Sequence, residues 1–328
     1  MKRKYSVFID HVGTFCDRYC TAYSEKEYSI GEKLDRIKSI PLLSAVDLNL
    51  TKEYFDKIDE LKSEIKRTGL KVNCVMVDTT ADRDYKQGSF SSLDATVRKK
   101  ALENSKKAMD FAEEIGCNTF AVWPGQDGYD YIFEADYIKE RTLFAECIKE
   151  LSKYKPNMKI ALEYKPKEPR NKCYISGMAS TLLMINSLNV NNVGIAMDYG
   201  HAFFAGESPA EAVALCKMYG GKLMAVHMND NYGSWDDDLI TGSVNTIPYL
   251  EFIYWLRKTG YNGYITFDQF PYRENSRDAV NESAEWFDYL ESLIDNCDPA
   301  KIEKVLSKKD GVSASRLARE ILQGKCKS

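Results

Sequence analysis

Eight short runs rich in β-branched and aliphatic residues recur along the chain, and most segments between them carry helical periodicity. The runs are YSVFID (5–10), LSAVDLN (43–49), KVNCVMVD (71–78), TFAVW (119–123), KIALE (159–163), VGIAMD (193–198), LMAVH (223–227) and YITFD (264–268). They are nearly continuous apolar stretches rather than alternating ones, the pattern of parallel strands covered on both faces. Helical spacing fills 51–69, 92–116, 134–154, 178–188, 208–219, 247–259 and 278–295, whereas 24–40 gives no clear element. Ser208-Pro-Ala-Glu211 has capping-box spacing with proline at the first helical position, and Gly69, Gly116 and Gly260 stand where helix C-caps are needed. Eight β/α units predict an α/β fold, a (β/α)8 TIM barrel over residues 1–295. A doubly wound open sheet is the alternative, and no strand-linked G-x-G-x-x-G or P-loop supports it. Residues 296–328 read as two short helices, a C-terminal helical extension packed under the barrel or wrapped on a neighbouring subunit.

The last four runs end on Glu163, Asp198, His227 and Asp268, each about one β/α unit from the next. Barrel strands all finish at one mouth, so these four side chains are expected to converge there. A strand-end carboxylate by itself often does no more than cap the next helix. Four oxygen and imidazole donors in succession, with no thiolate, suit a divalent cation: Mn2+ first, with Mg2+ or Co2+ as alternatives, one or two per chain. A second group stands close by. Asp198-Tyr-Gly-His201 places an imidazole just past a ligand, and the loop WDDDLITG (235–242) carries three adjacent carboxylates. Three such charges repel one another unless water or a cation screens them. As a metal loop, Asp236 and Asp238 would reach one ion while Asp237 points elsewhere, with Asp198 bridging the two sites. Lys165, two residues after Glu163, supplies a fixed positive charge on the same side of its strand.

Composition narrows the partners. A net charge of -4 and a pI near 5.7 argue against a nucleic-acid surface. The lysines of VRKKALENSKK (97–107) fall on the polar side of a helical pattern and read as a solvated face. Nine cysteines, an odd number without C-x-x-C, suit reduced, mostly buried thiols in the cytoplasm. The opening MKRKYSVFIDHVG has no signal-type apolar core, and no stretch is long enough to span a membrane.

Five segments together resemble the metal-dependent sugar isomerases of the xylose isomerase type: QGSFSSLDATVRKKAL (87–102), VWPGQDGYDY (122–131), ALEYKPKEPR (161–170), MDYGHAFFAG (197–206) and WDDDL. The resemblance covers roughly residues 70–295 and implies a small-molecule sugar as substrate. It also implies that Glu163, Asp198, His227 and Asp268 hold the substrate-bearing ion and that Asp198, His201, Asp236 and Asp238 hold the second. Lys165 is matched to the lysine near the reacting carbonyl and Trp123 to the indole against the sugar. Catalytic roles are expected for Lys165, Asp238 and His201. Asp198 and His227 stand where xylose isomerases have glutamate and aspartate, and both are similar to the L-rhamnose isomerase branch, as is D-D-D-L. The strand-two histidine of xylose isomerases is replaced by Asp47.

The activity implied is aldose–ketose interconversion by hydride shift, with enediol proton transfer as the competing route. A ketose 3-epimerase or a metal-dependent sugar lyase on the same barrel is the alternative, and a non-catalytic sugar-binding subunit would be expected to have broken ligands. An apurinic endonuclease, which gathers many histidines around zinc, fits poorly with three histidines. His11 and Phe15 are expected to meet the substrate. Phe15 and Tyr19 lie on a first loop that, in the resembled family, enters a neighbour's site or else packs as a lid. A homodimer or homotetramer follows from that loop and the tail. Gln126, Asp127 and Tyr129 line the pocket or brace their turn, and Arg170 forms internal ion pairs.

Overall fold

The computed structural model describes residues 3–16, 20–24 and 26–326, so Tyr19 lies outside the described residues. Eight parallel strands close into a barrel: β1 Lys4–Phe8, β2 Leu43–Leu50, β3 Lys71–Val77, β4 Thr119–Val122, β5 Lys159–Glu163, β6 Val193–Asp198, β7 Leu223–Met228 and β8 Tyr264–Phe267. Each strand pairs with its sequence neighbours, and β8 returns to β1 in the register Val7 to Phe267. The continuous apolar runs do what such runs must when both faces are covered. Ile160, Leu162, Ile195, Met197, Val226 and Ile265 pack outward in one large cluster with the helices. Phe8, Cys74, Met76, Ala121, Ala161, Ala196 and Ala225 form a separate inner cluster.

That inner set positions the site. Ala121, Ala161, Ala196 and Ala225 each sit two residues before Trp123, Glu163, Asp198 and His227. Strand side chains alternate faces with period two, so the small residues share the barrel interior with the polar ones and lie one layer below them. An alanine layer leaves room for carboxylates and an imidazole to turn inward without crowding. A larger side chain at Ala161 would intrude under Glu163, and overpacking of that kind costs about 1–3 kcal/mol.

Several helices differ from expectation. Residues 24–40 contain a helix, Ile30–Lys38, started by a complete capping box between Ser29 and Glu32. The single helix expected over 51–69 is two, Lys52–Asp56 and Ile58–Thr68. The first turns Tyr54 inward so that its hydroxyl reaches Asp10 at 2.6 Å, and the chain resets at Lys57 to bury Leu61 and Ile65. A short helix, Tyr199–Phe204, follows β6 directly, capped by the Asp198 carboxylate on the His201 backbone N–H. Ser208 caps Pro209–Met218 as expected, and Gly69 and Gly260 take left-handed φ angles at their C-caps.

The tail folds as Pro299–Lys308 and Gly311–Leu322 and packs on its own barrel. Lys258 of the helix Thr246–Thr259 pairs with Glu303 at 2.7 Å, and the two tail helices frame a cleft of about 780 Å³ against that helix. The expectation that every thiol is reduced is corrected here. Cys297 and Cys326 form a disulfide that clasps the tail, their Cα atoms 4.6 Å apart, because the Asp298 N–H bond to the Cys326 carbonyl brings the two ends of the tail together. Cys74, Cys117, Cys147, Cys173 and Cys216 are free and buried. No helix among the described residues is long and apolar enough to cross a membrane.

Candidate metal centre

Glu163 and Asp198 close β5 and β6, His227 is the penultimate residue of β7, and Asp268 follows β8 directly. One ligand atom from each of the four lies within 4.8 Å of the others. His227 Nδ1 stands 3.3 Å from Glu163 and 3.6 Å from Asp268. A second set, Asp198, His201 and Asp236, converges equally tightly, so Asp198 belongs to both. His201 Nε2 is 3.0 Å from Asp236, and its Nδ1 is 3.4 Å from Glu163.

Asp236 is buried, and Asp237 turns away to accept the Tyr232 N–H at 2.9 Å. Asp238 departs from expectation: it is not among the residues whose ligand atoms converge on the second set. Its backbone is left-handed (φ 52°) and its carbonyl accepts the Phe270 N–H at 3.0 Å. Its carboxyl, withdrawn from water by burial, faces the charges of Asp236, Lys165, Asp268 and Asp198.

Burial and crowding set the charges. Burial alone would push the His227 pKa down, but Glu163, Asp268 and Asp198 overcome it and raise it to about 10. The same contest raises His201 to about 9, through Asp198 and Asp236. Burial, then the charge of Glu163, lifts Asp268 to about 8. Asp236 goes the other way: against burial, His201 and Lys165 hold it well below the ordinary carboxylate range. Burial followed by repulsion from Asp236 pushes Asp238 well up.

Lys165 donates to Asp236 at 2.8 Å, pairs also with Glu168, and lies 5.3 Å from the centre of the Trp123 ring. Despite burial, the surrounding carboxylates keep its pKa above the usual lysine value. His11 sits in a short 3-10 turn just past β1, its Nδ1 3.6 Å from Asp268. That nitrogen accepts the Gln269 N–H at 3.3 Å, so the ring proton is on Nε2, and burial lowers the pKa to about 4. Phe15 packs within its own chain, against His11, Phe270 and Tyr272. It forms a wall over His11.

The residues fit an ion. Both ring nitrogens of His227, with His201 Nδ1 and Asp236 Oδ1, are buried and make no hydrogen bond among the described residues. An orphaned buried polar atom costs about 1–3 kcal/mol, and a ligand removes that cost. The donors are carboxylate and imidazole only, as hard and borderline divalent ions prefer. Trp123 Nε1 is likewise buried without a partner and faces the same mouth as Lys165.

Sequence reasoning missed the residues that brace this set. Asn229 donates to Asp198 at 3.0 Å, and Asn231 donates to the Gly200 carbonyl at 2.9 Å. Asp230 accepts the backbone N–H groups of Val244 and Asn245 and closes the base of the 230–245 loop against Leu239. The run VHMNDN carried that signal, because polar residues continuing past a strand-end ligand have buried work to do. Asp127 braces its turn by accepting from Ser89 and Ser91, Gln126 donates to the Thr80 carbonyl, and Arg170 pairs with Glu134 and Asp130. Asp10 pairs with Lys33 at 2.6 Å.

Residues 41–290 match the family described as xylose isomerase-like TIM barrel. The xylose isomerase of Thermus thermophilus is 31% identical over 231 residues, 68% of this chain and 59% of that protein, and the Thermus caldophilus xylose isomerase is 30% identical over the same shares. The chain thus spans under two thirds of the length of these relatives. Among solved structures, L-ribulose 3-epimerase superposes with a TM-score of 0.71 at 14% identity, covering 94% of this chain and all of that one. A D-tagatose 3-epimerase-like protein gives 0.69 at 22% (89% and 98% covered), and 3-keto-D-glucoside 4-epimerase of E. coli 0.66 at 18% (88% and 99%). At these identities the likeness is one of fold.

Proposed function

The chain belongs to the xylose isomerase-like TIM-barrel family, and on that basis we propose that it is a divalent-metal-dependent sugar isomerase interconverting an aldose and a ketose. The observation that carries this reading is Asp198 shared between two ligand sets, with Lys165 and Asp236 beside it. Glu163, Asp198, His227 and Asp268 would hold one ion and Asp198, His201 and Asp236 a second. Mn2+ is the first choice. An ion held there would polarise the sugar carbonyl as a Lewis acid.

The protein's own groups do the rest. Lys165, kept protonated by Asp236, stabilises negative charge growing on the carbonyl oxygen. Trp123 packs against the sugar and offers its unpaired Nε1–H to a hydroxyl. His11 donates from Nε2 to a distal hydroxyl, and Phe15 and Phe270 wall the mouth against water. Asp238, facing Asp236 and Lys165, orients the water that carries a proton between O1 and O2. The hydrogen itself moves between C1 and C2.

The test strips metal, restores Mn2+ and screens four- to six-carbon aldoses and ketoses by NMR, for wild type and Asp238→Asn. Aldose–ketose interconversion that is lost in the variant, with metal still bound, supports the proposal. A ketose inverted at C3, with the variant still active, makes the protein an epimerase and the WDDDL loop a bystander. No turnover of any free sugar points to a modified substrate and a lyase.

A further inference from the structure

The loop that carries Asp236 is fixed by two contacts of the same form. Residues 234–237 make no backbone-to-backbone hydrogen bond among the described residues, and the chain is left-handed at Gly233 (φ 79°) and Gly242 (φ 77°) on either side. Side chains therefore decide where Trp235 and Asp236 stand. On the inside, the Asp236 carboxylate meets Lys165 at 2.8 Å and His201 at 3.0 Å. On the outside, the centre of the Trp235 ring lies 5.7 Å from the Lys167 ammonium and 6.2 Å from the centre of the Phe204 ring. Lys167 in turn stands 4.7 Å from the Phe204 centre. Lys167 follows Lys165 by two residues, and Phe204 follows His201 by three on the helix Tyr199–Phe204. The same two segments thus grip two consecutive loop residues.

The outer grip does what the inner one cannot. Asp236 and His201 belong to one ligand set, and in turning to an ion they give up their mutual contact. Lys167, Trp235 and Phe204 contribute no ligand atom to that set, so their contact persists whichever way Asp236 turns. The neighbouring Glu168 is taken by Lys165, and Lys167 pairs with no carboxylate among the described residues. An ammonium within about 6 Å of a ring centre is drawn to the ring, most strongly to an indole. Trp235 is still 47% exposed, so burial alone does not hold it.

We propose that Lys167 is a positioning residue: it clamps Trp235 against Phe204 and so keeps Asp236 facing the second ligand set. The inference rests on the two-ion reading of the mouth, because a single-ion enzyme has no use for that set.

Two measurements on the full chain separate the clamp from the ion. Lys167→Met keeps most of the stem and removes the charge, whereas Lys167→Arg keeps a cation for the rings. Hydrogen exchange of the metal-free protein reads the loop by itself, at the Leu239 and Tyr232 amides, which bond to Asp230 and Asp237. Exchange there is expected to rise by about 10-fold in Lys167→Met, with the barrel strands unchanged. Calorimetric titration with Mn2+ reads the coupling. In Lys167→Met one of the two ions should bind about 10-fold more weakly and the other as before, and Lys167→Arg should match the wild type in both measurements. Unaltered exchange in Lys167→Met overturns the clamp, and an arginine variant as loose as the methionine one overturns the role of the charge. Raised exchange with both affinities unaltered overturns the link to Asp236. A wild type that takes up a single ion overturns the two-ion reading and that link with it, while exchange at the loop still decides the clamp.

Discussion

Asn229 donates its side-chain N–H to Asp198 Oδ2 at 3.0 Å while the His201 backbone N–H donates to Oδ1 at 2.7 Å. Each carboxylate oxygen thus has one fixed donor and one open direction, the arrangement a bridging carboxylate requires. Asn229 is held in turn by the Tyr249 hydroxyl on its carbonyl, and it crowds Gly200, where an added Cβ would come within 1.8 Å of the amide oxygen. Asn229→Leu is expected to weaken Mn2+ binding by about 10- to 100-fold, the usual effect of losing such an outer partner. Gly200→Ala, which displaces the amide, should do the same. Calorimetric titration of metal-free protein checks both, and unaltered affinity in the two variants would remove Asn229 from the site's design.

Metal binding should release protons. The His227 and His201 rings, raised to about 10 and about 9 by their carboxylate neighbours, are charged at neutral pH and must be neutral to ligate. Affinity for Mn2+ is therefore expected to rise with pH from 6 to 9. Titration in buffers of different ionisation enthalpy measures the proton count, and a pH-independent affinity would contradict it.

The same shifts fix the pH dependence of the metal-free protein. A histidine pKa raised above its unfolded value of 6.5 contributes stability that is full below 6.5 and lost as pH climbs through the folded value. Asp268, raised to about 8 from 3.8, acts in the same direction. The melting temperature without metal should fall between pH 6.5 and 10, and saturating Mn2+ should flatten or reverse that slope. A metal-free melt that rises over this window would show the charges to be arranged otherwise.

Lys165→Met removes the positive charge beside Asp236. If Lys165 stabilises charge on the carbonyl oxygen, kcat drops by about 100- to 1,000-fold with a smaller change in KM. Stability should fall by less than the about 3–5 kcal/mol of an orphaned buried charge, because His201 remains on Asp236 at 3.0 Å. Steady-state kinetics with a urea titration separate the two effects. Equal losses in kcat and in folding would mean the lysine is only a structural partner.

Reducing Cys297–Cys326, or replacing both with serine, opens a clasp across 29 residues. Loop-closure entropy puts the loss at about 3–4 kcal/mol for a closure of that length. Differential scanning calorimetry with and without reductant reads it. No change in the melt would show that the tail is held by Ile302, Ile321 and the Lys258–Glu303 pair without help.

The barrel and the row of polar strand ends follow from local pattern. Continuous apolar runs of five to eight residues, separated by amphipathic segments, have few other ways to bury both faces of every strand. The placing of Glu163, Asp198, His227 and Asp268 at one mouth follows from that topology alone, since parallel strands finish together. One further signal was present but unread: the small residue two places before each of Trp123, Glu163, Asp198 and His227, which marks the inward face by period two.

Contacts between residues distant in sequence settle the rest. The left-handed turn at Asp238 and its carbonyl's bond from the Phe270 N–H are invisible in the string W-D-D-D, where 236 and 238 look equivalent. Asn229 reads as an ordinary loop residue until folding sets its amide on a carboxylate 31 positions away. The pairing of Cys297 with Cys326 likewise depends on the tail doubling back, because spacing constrains a loop's length but not where its ends meet. Local pattern specifies elements and their order; the direction of a single side chain is set by whichever neighbours the completed fold brings against it.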